Sequence, residues 1–366
     1  MSTNLMAASR QWASRPDEER FTSLPEMHAT LEAQRAISAA RVVSTRSLRA
    51  EPTADNSGLV LVGPGGHAVA PTHWAFGQLA QRGSAPAAYL RGLPAPLAAD
   101  CLNWSMSTTP AEDMGVLLSR APGGGLPVLR AATGPKYGRI WNADLVRHLI
   151  DRFGDGVSGD FRVPGIWGKA LDQVSKDNTT LYAGDRDVFV FLADEVNRLE
   201  LPDRRDGRTG SLARGFFVQN SEVGSAALKV TCFLFDFVCA NRIVWGARNV
   251  EEISVRHSAS APDRFIEQVA PALLEYSKAS QGAELRTLIQ AQKTKLPDVE
   301  KFLASRFGPR VAQRVQHAHM LDEGRPIETL WDVVTGATAH ARSIPFQADR
   351  VEFERTAGAL LDLVEA

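Results

Sequence analysis

The sequence predicts an α+β fold, in which antiparallel β-hairpins with packed helices are followed by a mainly helical C-terminal region. Two apolar runs flank the turn at residues 122–125, and two more flank the turn at 184–185. Glycine-containing turns between apolar runs are typical of hairpins. After residue 262 the pattern changes to stretches with one polar face and helical spacing. Together these observations predict the fold class.

Composition places the chain among ordinary globular proteins. It has 366 residues, of which 44% are hydrophobic and 23% charged, and its formal net charge is −1. This balance excludes a small, wholly basic DNA-binding domain, but it allows a local basic groove. No apolar run approaches the roughly 18 to 20 residues of a membrane span, and residues 1–19 are polar. We therefore expect a cytoplasmic protein with no membrane partner.

Three regions are expected along the chain. Residues 1–50 contain seven arginines and five acids with little apolar content, and we interpret them as a partly helical N-terminal arm. Residues 51–260 are predicted to form the α+β core domain. Residues 261–366 are predicted to form the helical C-terminal region.

The elements of the first half follow from caps, turns and apolar runs. Thr72 is a suitable N-cap for a helix through Gln81. The other elements predicted here are a strand at 58–63, a helix at 95–106, and strands at 114–121 and 126–132.

The second half begins with an amphipathic helix that Asn142 is expected to cap, since apolar residues recur along one face as far as Phe153. Strands are then predicted at 179–183, 187–192 and 215–220, in the first half of 226–239, and at 243–245 and 253–257. Helices are predicted at 262–281, 284–295, 298–306, 308–322 and 350–364.

The sequence offers little catalytic chemistry. The glycine-rich turns lack the lysine and hydroxyl of a phosphate-binding loop. His317 and His319 are two positions apart and diverge by roughly 200° on a helix, so they cannot face one metal ion. We predict no cofactor, no metal and no catalytic residue. The acids Asp185 and Asp187 leave open a metal-dependent nuclease as a less favoured alternative, so the enzyme question stays undecided.

One segment combines cations with aromatic rings just before a helix. It contains Lys136, Tyr137, Arg139 and Trp141. A helix N-terminus attracts anions, and aromatic faces can stack on bases for about 1–3 kcal/mol each. The segment is therefore a candidate nucleic-acid site, although the two aromatic residues can equally belong to the core.

Two further sets of cations complete the candidate site. Arginines cluster in and after a glycine-containing loop, at Arg204, Arg205, Arg208 and Arg214. Lys229 and Arg242 bracket the apolar run. Cations that neutralise phosphates make binding fall with salt. Because acids alternate with the arginines of the loop, an ordinary solvated loop is the alternative interpretation.

Several of these stretches resemble the phage/plasmid-like family known as domain of unknown function 932. The stretches that carry the resemblance are 72–81, 86–90, 96–103, 136–142, 220–224 and 237–242. One departure is Arg242, which stands where the family pattern has glycine.

The resemblance implies a cytosolic role in DNA maintenance or defence on mobile elements. By looser analogy, hairpins followed by a helix are similar to single-strand annealing recombination proteins, which oligomerise on single-stranded DNA. We therefore expect a DNA-binding, homo-oligomeric protein that binds or anneals single strands. The alternative is a protein-binding, regulatory or structural protein of a phage or plasmid.

Overall fold

The computed structural model shows an α+β protein built on two β-sheets and a C-terminal group of helices. The residues described are 15–163, 174–177, 179–194, 196–201, 210–236, 241–243, 252–278, 282–344 and 347–364.

Fifteen strands are present among the described residues. They are β1 (Arg20–Phe21), β2 (Ser38–Ser44), β3 (Arg49–Pro52), β4 (Leu59–Val62), β5 (Ala68–Pro71), β6 (Asp113–Ser119), β7 (Val128–Thr133), β8 (Phe161–Arg162), β9 (Leu181–Ala183), β10 (Val188–Asp194), β11 (Leu199–Leu201), β12 (Gly210–Asn220), β13 (Leu228–Asp236), β14 (Asn241–Ile243) and β15 (Glu252–Val255).

The helices of the described residues are α1 (Leu24–Ala36), α2 (His73–Arg82), α3 (Ala87–Leu90), α4 (Ala95–Thr108), α5 (Asn142–Phe153), α6 (Ala261–Arg264), α7 (Ala270–Lys278), α8 (Gly282–Lys293), α9 (Val299–Phe307), α10 (Pro309–Glu323), α11 (Leu330–Ala341) and α12 (Gln347–Gly358). A π-helical turn, Phe265–Val269, joins α6 to α7.

Within the described residues, the first sheet has six strands in the order β2-β6-β7-β5-β4-β3, and only β5 and β7 pair in parallel. Helices α2 and α4 cover one face, with Phe76, Leu79 and Leu102 buried between them and the strands. At the β3 edge, the side-chain amide of Asn103 on α4 pairs with both the N–H and the C=O of Ala50, at 2.8 Å each. The amide thereby substitutes for a neighbouring strand at that position.

The second sheet has nine strands around the long central pair β12 and β13. Its main path runs β1-β9-β10-β12-β13-β14, and every pairing is antiparallel. The apolar run predicted as a buried strand forms β13, and its side chains Val230 and Cys232 face the core together with Phe216 of β12. Helices α1, α5 and α7 pack on that face.

Residues 15–50 of the predicted N-terminal arm join the two sheets, and residues 1–14 lie outside the described residues. Strand β1 pairs with β9 of the second sheet, and β2 pairs with β6 of the first. Between them α1 buries Leu24, Met27 and Leu31. The sequence did not predict these pairings, because the arginines of this segment have partners that are distant in sequence, such as Asp187 for Arg15.

The C-terminal helices form their own core against one end of the second sheet. That core includes Leu201, Leu212 and Leu234 of the sheet and five residues of α11. Helix α11 is buried at every position from Leu330 to Ala339. Helix α11 was not predicted from the sequence, because a helix that is buried all round has no amphipathic period.

Candidate nucleic-acid interface

The segment 220–224 lies where β12 ends, at the junction of the two sheets. Val223 is buried with Leu117 and Ala131 of the first sheet. The Ser221 hydroxyl donates to the carbonyl of Arg186 in the β9–β10 turn, at 2.6 Å. Gly224 has φ +81°, a conformation that favours glycine. This short segment therefore links both sheets and a hairpin turn.

Glu222 is the charged centre of the junction. Its side chain and that of Arg130 on β7 are each 4% exposed, and Arg130 Nη1 lies 3.2 Å from Glu222 Oε2. The other carboxylate oxygen, Oε1, accepts the backbone N–H of Asn142 at 2.8 Å. The prediction that Asn142 caps α5 was wrong: Asn142 is the first residue of the helix, and Glu222 binds its N–H.

The predicted aromatic–cation segment packs against the same junction. The Tyr137 hydroxyl donates to the Ser221 carbonyl at 2.7 Å, and Arg139 Nε donates to the Glu222 carbonyl at 2.8 Å. The Tyr137 ring stacks on His257, with centroids 4.8 Å apart. Burial raises the pKa of the Tyr137 hydroxyl well above its usual value. Tyr137 and Arg139 thus have structural contacts as well as a partly exposed surface.

Helix α2 supplies two contacts that the sequence analysis did not identify. Trp74 Nε1 and Gln78 Nε2 both donate to the carbonyl of Val223, at 3.0 and 2.8 Å. Gln78 Oε1 also accepts the N–H of Ala132 at 2.9 Å. Trp74 and Gln78 are four positions apart and so share one helix face. The spacing of Trp74 and Gln78 could have indicated a shared contact, but the carbonyl that both side chains bind lies about 150 residues away along the chain.

Arginines stack on the aromatic rings that surround the junction. Arg186 lies 4.6 Å from the centroid of Trp74, and Arg35 lies 5.3 Å from that of Trp141. Arg139 lies 5.4 Å from the Tyr137 centroid and 5.7 Å from the Trp141 centroid. We call the six residues of these stacks the junction belt: Arg35, Trp74, Tyr137, Arg139, Trp141 and Arg186.

The junction belt carries net positive charge. Arg35 pairs with Asp144, whereas neither Arg139 nor Arg186 forms an ion pair with any carboxylate of the described residues. The pKa of His73, at the start of α2, is lowered by partial burial and by the charges of Arg91 and Arg186. The two arginine charges contribute to this shift after burial, so both add positive potential at His73.

The remaining predicted residues are dispersed. Lys136 is exposed beside the junction belt, and Lys229 is exposed on β13, opposite Gln219 and Ser254. Arg242 lies in β14, but its side chain is outside the described residues. Arg204, Arg205 and Arg208 also lie outside them.

Arg214 is in the interior and cannot contact a nucleic-acid phosphate in this structure. It is 6% exposed, and its Nη1 donates to the carbonyl of Tyr276. Its guanidinium also lies 5.6 Å from the Tyr276 ring centroid. Arg214 belongs to strand β12, and its side chain is directed toward α7.

The acids considered for a nuclease have structural neighbours. Asp187 Oδ1 lies 2.5 Å from Nη2 of Arg15, which is itself 5% exposed. Within the described ranges, no group of three or more His, Cys, Asp or Glu side chains could hold a metal ion. Burial also raises the pKa of the Cys232 thiol far above its usual value, which disfavours a nucleophilic role.

Among the described helices, none is both long and apolar enough to span a membrane.

Comparison with known proteins gives a family and no function. A family described as "Domain of unknown function (DUF932)" matches residues 173–362, more than half of the chain. The matched range includes the junction segment 220–224 but not the segment 136–141. Neither a curated protein nor a solved structure matches the chain. The chain therefore belongs to the DUF932 family.

Proposed function

We propose that this protein binds single-stranded DNA through the junction belt, with Lys136 at its rim. The observation that carries the proposal is the stacking of three arginines on three aromatic rings, at centroid distances from 4.6 to 5.7 Å. Proteins that bind single strands combine cations for the phosphates with aromatic or guanidinium planes on which bases stack. The junction belt contains both kinds of group.

The charges of the junction support an anionic ligand. The carboxylate of Glu222 is buried at the junction and paired with Arg130, so it does not face solvent. Arg139 and Arg186 lie 5.4 and 4.6 Å from the ring centroids of Tyr137 and Trp74 and form no ion pair within the described residues, which supports contacts with phosphates. Both side chains of the Arg35–Asp144 ion pair are partly exposed, so replacing Asp144 by a phosphate as the partner of Arg35 costs little free energy.

The wider role rests on the resemblance noted from the sequence. We propose a cytoplasmic, homo-oligomeric protein of mobile elements that binds or anneals single strands during recombination. Oligomerisation would place several junction belts along one strand, and this supports annealing because each copy contributes only a few phosphate contacts.

Fluorescence anisotropy with a labelled oligo-dT tests the proposal directly. We expect binding at low salt that weakens as salt rises, because each neutralised phosphate of a single strand contributes a slope of about −0.7. The double variant Lys136→Gln/Arg186→Gln should bind more weakly and with a smaller slope. Lys301→Gln, an exposed change on α9, is the matched control.

Two outcomes would point elsewhere. Absence of binding at low salt, or affinity indifferent to salt, would contradict the proposal and favour the protein-binding alternative. A pull-down from host lysate after nuclease treatment then identifies protein partners that do not depend on DNA. Metal-dependent cleavage of the oligonucleotide that Asp187→Ala abolishes would support a nuclease.

A further inference from the structure

A second cationic surface lies among the C-terminal helices. A groove of about 850 Å³ runs between α10 and the end of α11. This volume is within the usual range for small-molecule sites, about 300–1,000 Å³. The groove shares no residue with the junction belt and belongs to the part of the chain that matches the family.

One wall is a stripe of cations on α10. Arg310, Arg314 and His317 are all exposed and all line the groove. Their spacing of four and three residues places them on one helix face, about 6 and 4.5 Å apart along the axis. Among the described residues, no carboxylate pairs with Arg310 or Arg314, so both guanidinium groups are directed to solvent or to a ligand.

The opposite wall of the groove contains a titratable side chain, His340, and an ion pair between Arg342 and Asp322. His340 lines the groove from α11, with Nδ1 3.2 Å from the Ser343 hydroxyl and its ring edge-on to Phe353. Its pKa is lowered by burial and by the charge of Arg314, which places the two groups near each other. The acid of the lining, Asp322, already binds Arg342.

The lining of the groove becomes apolar toward the end of α10. Leu321 is 68% exposed there, beside Ala318 and across from Ala339. A ligand that covers an exposed leucine removes apolar surface from water, which lowers the free energy of the complex. One end of the groove thus suits an anion, and the other suits an apolar or planar body.

We propose that this groove binds a ligand of the nucleotide class, with its phosphate on Arg310 and Arg314 and its base against Leu321. A free nucleotide and a terminal nucleotide unit of a single strand have this same chemistry. The site stands apart from the single-strand binding proposed above, since a mononucleotide can occupy it whether or not the junction belt binds DNA.

Calorimetric titration of the full chain with dTMP, thymidine, inorganic phosphate and oligo-dT tests this site. We expect dTMP to bind more tightly than thymidine or phosphate alone, because only dTMP carries both a phosphate and a base. Arg314→Glu should weaken dTMP binding by about tenfold or more, since a charge-assisted hydrogen bond is lost. Leu321→Ala should weaken binding of dTMP but not of phosphate.

The controls separate this site from the junction belt. Arg306→Gln on α9 should leave dTMP binding unchanged. Arg314→Glu should weaken dTMP binding equally in the wild type and in the belt variant Lys136→Gln/Arg186→Gln. If Arg314→Glu weakens oligo-dT binding as strongly as dTMP binding, the ligand of the groove is a nucleotide unit of a single strand. If only dTMP binding falls, the ligand is a free nucleotide. Absence of dTMP binding, or binding that Arg314→Glu leaves intact in a variant with wild-type circular dichroism, would overturn the proposal.

Discussion

The carboxylate of Glu222 accepts the backbone N–H of Asn142 at 2.8 Å, although the two residues are 80 positions apart. The same carboxylate binds Arg130, whose Nε and Nη2 have no hydrogen-bond partner within the part of the chain that the structure describes. One buried side chain therefore joins the first sheet, the end of β12 and the start of α5. The surface that we propose for DNA is organised around this contact.

Glu222→Gln should destabilise the fold strongly. The amide keeps the shape of the side chain but leaves the Arg130 charge buried without a counter-ion, which costs about 3–5 kcal/mol. Urea unfolding followed by circular dichroism measures the loss. The matched control is Glu200→Gln, an exposed change on β11. A loss no larger than that of the control would contradict the account of the junction.

Gly138→Ala should disrupt the contact between the aromatic–cation segment and the residues after β15. A Cβ at this position would lie 1.8 Å from the carbonyl oxygen of Ser258, which is backbone and cannot rotate away. We expect a loss of about 3 kcal/mol or more in the free energy of unfolding. Gly134→Ala, where nothing lies within 4 Å, should be nearly neutral; equal melting temperatures for the two variants would refute this contact.

Arg214→Ala should separate stability from DNA binding. The side chain is buried and donates to Tyr276, so its removal should cost about 2–3 kcal/mol in unfolding free energy. Oligo-dT affinity, measured at a temperature where the variant is folded, should equal that of the wild type. A loss of oligo-dT affinity with unchanged stability would contradict this prediction and show that Arg214 contacts DNA.

Acidification should destabilise the C-terminal helices through His319. Burial lowers the pKa of His319, against the opposing attraction of Asp332. The neutral form is thus favoured in the fold, so this contribution is fully present above the unfolded value of about 6.5 and is lost as pH falls toward the lower folded pKa. His319→Gln should show a shallower loss of stability below about pH 6.5.

His317→Gln is the control for this pH dependence, since His317 is exposed on the same helix. Its stability should follow the wild-type curve through the same pH range. Identical pH profiles for His319→Gln and His317→Gln would show that His319 does not control the acid sensitivity.

Much of the fold could be predicted from local patterns. The Thr72 cap, the hairpins β6–β7 and β9–β10 and the buried strand β13 all follow from signals within about fifteen residues, and the structure confirms them. Helix α11 could not be predicted because burial on every side removes its period. The pairings of β1 and β2 were also inaccessible, since their partners are far along the chain.

The candidate site was predictable only in part, for a related reason. The spacing of Lys136, Tyr137, Arg139 and Trp141 identified a segment that does lie at the junction. No local pattern could show that Arg186 would stack on Trp74 from another sheet, or that Arg214 would be buried. Local sequence identifies residue types, whereas tertiary packing decides which of them share a surface.

Ultraviolet crosslinking of the full chain to oligo-dT, followed by mass spectrometry of the crosslinked peptides, tests the central claim most directly. We predict crosslinks to Tyr137, Trp141 or Trp74, since aromatic rings in contact with bases react most readily, and their loss at high salt. Crosslinks confined to peptides outside the junction belt, or none at low salt, would contradict the assignment of the junction as the DNA-binding surface.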